Sequence, residues 1–282
     1  MPDFPITDTH VHLADRQMID HPWMDAIPAL NRNWILSDYR EAVGDVTVGK
    51  FLFMEVNCAA DSVEREVAWV SAMADEEPRL QGIIAKAPVE TGAGVEKTLQ
   101  AYQAYPLVKA IRRLIQEEAD GFCVQPAFIE GLKQLPRYGY AFDICIHHPQ
   151  MGDAIEMVRR CPEVRFILDH IGKPDIRGGT VEPWSTQIGE LAAMDNVYCK
   201  MSGVVTEADH DRWTEDDLRP YLDRVVEAFG FDRILFGSDW FVQTLASTYP
   251  RWVEIVDGLL SGCTAEEQRK LYVTTADAAY GL

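Results

Sequence analysis

The chain has 282 residues, of which 47% are hydrophobic, and a formal net charge of −19. This composition supports a sizeable buried core, and the surplus of acids disfavours nucleic acid and anionic membranes as partners because both would be repelled. No run approaches the roughly 18 apolar residues of a membrane span, and residues 1–12 lack the pattern of a secretory leader. The six cysteines form no Cys-x-x-Cys pair, so we interpret them as reduced thiols of a cytoplasmic protein.

Short apolar, β-branched runs alternate with longer helical patterns along the chain. Such runs are typical of strands buried on both faces of a parallel sheet. Helices are predicted at 61–75, 151–161 and 214–229, and Thr214 is the expected N-cap of the third. The predicted strands are 5–12, 50–57, 80–88, 108–114, 141–147, 165–171, 197–202 and 233–239.

Eight strand–helix alternations predict an α/β fold, a (β/α)8 TIM barrel in a single domain over residues 1–282. An open doubly wound sheet is the alternative, and the lack of a Gly-x-Gly-x-x-Gly turn after the first strand weakens it. The longest irregular stretches are 14–33 and 176–183. In a barrel, an insertion after a strand lies over the mouth, so Trp23 belongs either to a pocket wall or to a cluster on the rim.

Histidines recur where the predicted strands end. His10 and His12 end the first strand, and the two-residue period of a strand places both imidazoles on one face. Two adjacent neutral imidazoles suit a divalent metal or an oxyanion, although two hydrogen-bonded strand-end residues would give the same pattern. Histidines also end the fifth and sixth strands, and an aspartate ends the eighth; these residues are His147, His148, His170 and Asp239. Their common position predicts one active site at the carboxyl ends of the strands.

These strand ends, together with several longer strings, resemble the amidohydrolase superfamily. The closer resemblance is to its sugar-acid lactonase group, which includes L-fuconolactonases and L-rhamnonolactonases and is related to 2-pyrone-4,6-dicarboxylate lactonase. The resemblance covers essentially the whole chain and implies a hydrolase with a small-molecule sugar lactone as substrate. The strings that carry it are THVH at 9–12, KAIRR at 109–113, HPQ at 148–150, LDHIGKPD at 168–175, YCKMSG at 198–203 and LFGSDW at 235–240.

The fourth strand departs from the superfamily's pattern for two metals. The resemblance implies a bridging lysine or glutamate there, but the strand carries Arg112 and Arg113. Arginine stays protonated and is a poor ligand. We therefore expect at most one divalent ion, with zinc as the first candidate, and the resemblance implies that hydrolysis need not require it. The expected ligands are His10, His12, His170 and Asp239.

Further polar residues share the inner face of the predicted barrel. Strand alternation places Arg112 inside and Ile111 outside, and Arg112 is interpreted as a substrate contact, with a structural ion pair as the alternative. Lys200 is expected either to bind substrate or to pair with an aspartate, and Asp169 is predicted to face the helices. The remaining substrate-binding candidates are Trp23, Asn57 and Trp240.

Opening a lactone requires an activated water, polarisation of the carbonyl oxygen and a proton for the departing ring oxygen. Asp239 is predicted to be the general base that takes a proton from water and returns it. His148 and His170 are predicted to be catalytic residues that polarise the carbonyl group of the lactone. Decarboxylation of an aromatic acid, hydrolysis of a dicarboxylate lactone and non-catalytic sugar-acid binding are the alternatives. The particular sugar and the oligomeric state stay open.

Overall fold

The hydrophobic runs form a closed set of parallel strands in chain order. The computed structural model describes residues 2–282. Each strand pairs in parallel with the next, so the predicted (β/α)8 barrel is confirmed and the open sheet is wrong. The strands are β1 Ile6–Val11, β2 Val48–Met54, β3 Leu80–Lys86, β4 Val108–Arg112, β5 Ala141–Ile144, β6 Phe166–Leu168, β7 Val197–Met201 and β8 Ile234–Phe236.

The segment after β8 returns to β1 and closes the barrel. The backbone N–H of Asp239 donates to the carbonyl oxygen of His10 at 2.9 Å. The buried carboxylate of Asp8 reinforces this seam, because it accepts the Ser238 N–H at 2.8 Å and the hydroxyls of Tyr39 and Tyr249 at 3.3 and 3.0 Å. Two of the residues that carry predicted chemistry therefore lie at the junction of the two ends of the sheet.

Helices cover the outside of the barrel. In α7, the Asp217 carboxylate accepts hydrogen bonds from the N–H and hydroxyl of Thr214 at 2.7 and 2.9 Å, so Thr214 precedes the helix as predicted. Among residues 2–282, no helix is both long enough and apolar enough to cross a membrane. The helices are α1 Leu36–Ala42, α2 Val63–Met73, α3 Glu96–Tyr102, α4 Pro126–Leu132, α5 Met151–Arg159, α6 Trp184–Ala192, α7 Glu215–Phe229, α8 Tyr249–Leu259, α9 Ala265–Arg269 and α10 Thr275–Tyr280.

Two apolar clusters lie on opposite faces of the strands. Ile111 belongs to the larger cluster between strands and helices, whereas Ala110 belongs to the smaller cluster inside the barrel. Tyr280 of α10 inserts into this inner cluster, and its hydroxyl donates to Asp143 at 2.7 Å. The alternation predicted for β4 is therefore present, and it places Arg112 inside the barrel.

All eight strands end before the residues that their hydrophobic patterns predict, four of them by three residues. These four are β2, β5, β6 and β8, which end at Met54, Ile144, Leu168 and Phe236. Beyond these points the backbone turns, and both His170 and Asp239 have a positive φ, of 54° and 61°. The direction of a side chain after the strand end therefore cannot be taken from strand alternation.

Candidate active site

Three imidazoles and one carboxylate meet at the carboxyl end of the barrel. Oδ1 of Asp239 lies 3.4 Å from Nε2 of His12, 3.6 Å from Nε2 of His10 and 4.0 Å from Nε2 of His170. The Nε2 atoms of His10 and His12 lie 3.2 Å apart. The structure thus brings together the four residues that the sequence predicts as metal ligands.

The second ring nitrogen of each imidazole faces a different partner. Nδ1 of His12 lies 3.0 Å from the carbonyl oxygen of Met54, and Nδ1 of His170 lies 2.9 Å from Oγ of Ser202. Nδ1 of His10 lies 3.4 Å from Oδ1 of Asp169. A histidine that donates through Nδ1 presents the lone pair of Nε2, which is the arrangement of metal-binding histidines with an outer partner.

The distances among these atoms fit a single divalent ion. A tetrahedral zinc ion with bonds of about 2.0–2.2 Å separates neighbouring ligand atoms by about 3.3–3.6 Å. His10, His12 and Asp239 have separations of 3.2–3.6 Å, and His170 lies slightly farther out. His10, His170 and Asp239 also form a compact buried group of possible ligands.

A second group of possible ligands consists of Cys145, Asp169 and His170, whose ligand atoms lie within 4.8 Å of one another. The carboxylate of Asp169 already faces two cations, because Oδ1 lies 2.9 Å from Nζ of Lys200 and Oδ2 lies 3.3 Å from Nη1 of Arg112. A further cation there would be repelled. This charge arrangement favours one ion over two.

Buried ion pairs support the floor of the site from inside the barrel. Lys200 is fully buried and lies 2.7 Å from Asp143, and its Nζ is 3.3 Å from Nδ1 of His10. Arg112 donates through Nε to the Glu55 carboxylate at 2.7 Å. Both cations contact Asp169, so the two ion pairs form one buried network.

Burial and neighbouring charges set the protonation of the cluster. Burial lowers the pKa of His10 well below its ordinary value, although Asp169 opposes the shift, and burial lowers the pKa of His170 to about 4. Burial alone would raise the pKa of Asp239, but His170, His12 and His10 outweigh it and hold that pKa below its usual range. The neutral imidazoles of His10 and His170 beside an ionised carboxylate suit both metal binding and removal of a proton from water.

A cavity of about 510 Å³ opens above this cluster. His12, His170 and Asp239 form part of its floor, and one side is apolar, with Ile27, Leu30 and residues of the loop after β8. The segments after β2, β4, β5 and β6 contribute polar groups beside the apolar Val56 and Leu114. The polar lining residues are Asn57, Arg112, Gln116, Glu117, Cys145 and Lys173.

Three of the five predicted substrate contacts line this cavity. Trp23 forms part of its wall, held by a hydrogen bond from Nε1 to the carbonyl oxygen of Val56 at 2.8 Å. Asn57 accepts a hydrogen bond from Lys86 at 2.8 Å. Arg112 is ion-paired with Glu55 and also lines the cavity, and its contact with substrate stays a prediction.

Four predicted site residues do not line the cavity, and one of them, His10, is buried within the cluster below it. Lys200 lies beneath His10, within the ion pairs, so its position matches the structural alternative. Trp240 is buried against Trp34, with ring centroids 5.6 Å apart, because the chain bends after Asp239. His148 lies in a helical turn beyond β5, since that strand ends at Ile144.

Other residues of the site were not identified from the sequence. The prediction that Asp169 faces the helices is wrong, because β6 ends at Leu168 and the turn directs Asp169 toward His10. Cys145 occupies the cavity position directly after β5, one residue beyond the end of that strand. Lys173 also lines the cavity, and no sequence pattern distinguished it from a loop lysine.

The sequence pattern of the amidohydrolase family matches residues 7–282, so the chain belongs to this family, and the hydrolase predicted from the sequence is confirmed. An L-fucono-1,5-lactonase from Burkholderia multivorans is 28% identical over 98% of this chain and 95% of its own length. An L-rhamnono-gamma-lactonase from Scheffersomyces stipitis is 26% identical over 72% and 69%. The solved structure of a zinc-bound amidohydrolase from Burkholderia multivorans superimposes with a TM-score of 0.89, at 26% identity over 99% of this chain and 100% of that one.

Proposed function

We propose that the enzyme hydrolyses the lactone of a small sugar acid. The observation that carries the proposal is the Asp239 carboxylate, whose Oδ1 lies 3.4 Å from Nε2 of His12 at the floor of a cavity of small-molecule size. The two lactonase relatives support this choice of substrate class.

The cluster has the groups that lactone hydrolysis requires. Asp239 accepts the proton of a water molecule, which attacks the lactone carbonyl carbon. His12 and His170 line the cavity beside Asp239 and face the carbonyl oxygen as its negative charge develops. His10, His12, His170 and Asp239 would hold a zinc ion, which supplies Lewis-acid polarisation of the carbonyl when it is bound.

The cavity suits a ring with one polar and one apolar side. Ile27, Leu30 and Leu245 offer an apolar wall, and Asn57 and Gln116 offer amide groups to hydroxyls. Deoxy sugar lactones combine hydroxyls with a methyl group and match both sides. Decarboxylation of an aromatic acid would require a slot of aromatic rings, and among the described residues Trp23 is the only aromatic one that lines this cavity.

A panel of sugar-acid lactones, assayed with a pH indicator, tests the proposal. Asp239→Asn keeps the shape of the side chain and removes its basicity, so kcat should fall by roughly two to four orders of magnitude. KM should change less, because the amide can still contact the substrate. Asp211→Asn, at an exposed position, is the matched control and should behave as the wild type. Turnover of Asp239→Asn close to the wild-type rate, or no lactone opened by the wild type, would contradict the proposal.

A further inference from the structure

The segment after β6 has an unusual backbone that brings two side chains to the cavity. Four consecutive residues have positive φ: His170, Ile171, Gly172 and Lys173, with angles of 54°, 50°, 76° and 47°. For residues with a Cβ, this conformation costs about 1–2 kcal/mol each, and it persists only where the surroundings impose it. Its effect is that both His170 and Lys173 line the same cavity as Asp239.

Tertiary hydrogen bonds hold this segment in place. Nε1 of Trp184 donates to the carbonyl oxygen of Ile171 at 2.8 Å, and the N–H of His148 donates to the carbonyl oxygen of Lys173 at 3.3 Å. The N–H of Lys173 in turn donates to His170 O at 2.9 Å. The lysine therefore projects from a fixed backbone rather than from a free loop.

The ammonium of Lys173 is only partly compensated. Its Nζ donates to Oε1 of Gln116, a neutral acceptor, at 2.7 Å, and its nearest ion-pair partner, Glu207, is 3.9 Å away. Arg112, the other cation lining the cavity in the described chain, has Glu55 at 2.7 Å. Lys173 thus keeps N–H donors for a ligand that bears negative charge.

Neighbouring groups keep this lysine protonated. The Glu207 carboxylate, 3.9 Å from Nζ, and the acceptor oxygen of Gln116, 2.7 Å from Nζ, both favour the ammonium form. The cavity therefore holds a base on its floor, Asp239, and a charged proton donor on its wall.

We propose that Lys173 donates the proton that the ring oxygen needs when the lactone opens, a role that rests on the proposed function. Water adds to the carbonyl carbon and gives one proton to Asp239. The bond between that carbon and the ring oxygen then breaks, its electron pair stays on the oxygen, and this oxygen takes a proton from Nζ. Lys173 recovers a proton from solvent, and Asp239 releases the one it accepted, so the net reaction consumes one water.

A sulfur substrate isolates this step. In the thiolactone of the same acid the leaving group is a thiolate, whose conjugate acid has a pKa of about 8.5, so it departs without a proton donor. Lys173→Met should lower kcat on the oxygen lactone by roughly two to four orders of magnitude and on the thiolactone by less than about tenfold. Asp239→Asn should impair both substrates, because both require the activated water.

Two further variants keep the test independent of folding. Lys173→Arg should retain part of the activity on the oxygen lactone, because it keeps a charged donor, and Lys133→Met, on the exposed surface, should match the wild type. Circular dichroism and thermal unfolding check each variant. Methylammonium should partly restore Lys173→Ala on the oxygen lactone.

Equal losses on the two substrates, or no loss on either, would overturn the role of Lys173 while leaving lactone hydrolysis intact. Failure of added amines to restore any activity in a folded Lys173→Ala enzyme would also count against it. If the wild type opens no sugar lactone, the proposed function itself fails, and this outcome is distinguished by the wild-type assay alone.

Discussion

Replacing Lys200 by methionine tests whether this lysine supports the site from below. The barrel interior holds three carboxylates, Glu55, Asp143 and Asp169, with two cations, Arg112 and Lys200, so its net charge is −1 (three negative and two positive groups). Lys200→Met changes the balance to −2 while filling a similar volume. Lys200→Met/Asp143→Asn returns it to −1.

The expected loss of stability is large because water does not reach these groups. Lys200, Asp143 and Asp169 have fully buried side chains. Removing one partner of a buried ion pair costs about 3–5 kcal/mol, and here two carboxylates lose the same cation, so we expect about 4 kcal/mol. The double variant should recover about half of this loss, because it removes one of the two uncompensated charges.

The loss should also depend on pH. Burial raises the pKa of Asp143 in the folded protein, and Lys200 opposes this shift. Without Lys200 the pKa of Asp143 in the folded protein rises further above its value in the unfolded chain. The folded protein then tolerates Asp143 only in its protonated form, so the free energy of unfolding decreases as the pH rises through this folded-state pKa. The deficit of Lys200→Met should therefore be smaller at pH 5 than at pH 8.

Urea unfolding, followed by tryptophan fluorescence, measures these differences. Lys50→Met is the matched control, because Lys50 also lies 2.7 Å from a carboxylate, that of Asp277, but both side chains are 34% exposed. Its loss should not exceed about 1 kcal/mol. If Lys200→Met lowers the free energy of unfolding no more than Lys50→Met does, the interior ion pairs do not support the site. Direct contact of Lys200 with substrate would then be the better interpretation.

The remaining predictions concern the metal and a peripheral ion pair. Elemental analysis of the purified enzyme should find at most one divalent ion per chain, and His12→Asn should weaken its binding; two ions per chain would contradict the ligand arrangement. Arg79 and Arg40 lower the pKa of Glu77 to about 2 against the effect of burial. Glu77→Gln should therefore reduce the free energy of unfolding at pH 7 by only about 1–2 kcal/mol, because the arginines are partly exposed. The difference from the wild type should vanish as the pH falls from 4.5 toward 2, where Glu77 becomes protonated. A difference that persists at pH 2 would exclude this cause.

The barrel and the core of the site could be predicted because both follow from local sequence. Strands buried on two faces have continuous apolar runs, so the number and order of strands were readable. His10 lies within β1 and His12 directly follows its last residue, so strand alternation still directs both imidazoles to the same site. The interior position of Arg112 follows from the same rule, because β4 extends to this residue.

The rest of the site depends on the backbone beyond the strand ends. Alternation failed for Asp169 because β6 ends at Leu168 and the next residues turn. Lys173 reaches the cavity through four residues with positive φ, a conformation that no residue-type preference predicts when only one of them is glycine. Lys200 could be placed inside the barrel, but its ion pairs with Asp143 and Asp169 join separate strands and appear only in three dimensions.

The seam between β1 and β8 has a consequence for how the protein is made. The ribosome synthesises His10 and His12 long before Asp239. The carboxylate of Asp8 likewise lacks two of its hydrogen-bond donors, the Ser238 amide and the Tyr249 hydroxyl, until the end of the chain has been made. Until β8 emerges, β1 lacks its second neighbour, and His10 and His12 lack the carboxylate of Asp239. A nascent chain that stops before β8 therefore exposes β1 as an unpaired hydrophobic edge, which is a template for aggregation. Chaperone contact during synthesis should be greatest in the interval before residues 234–240 leave the ribosome.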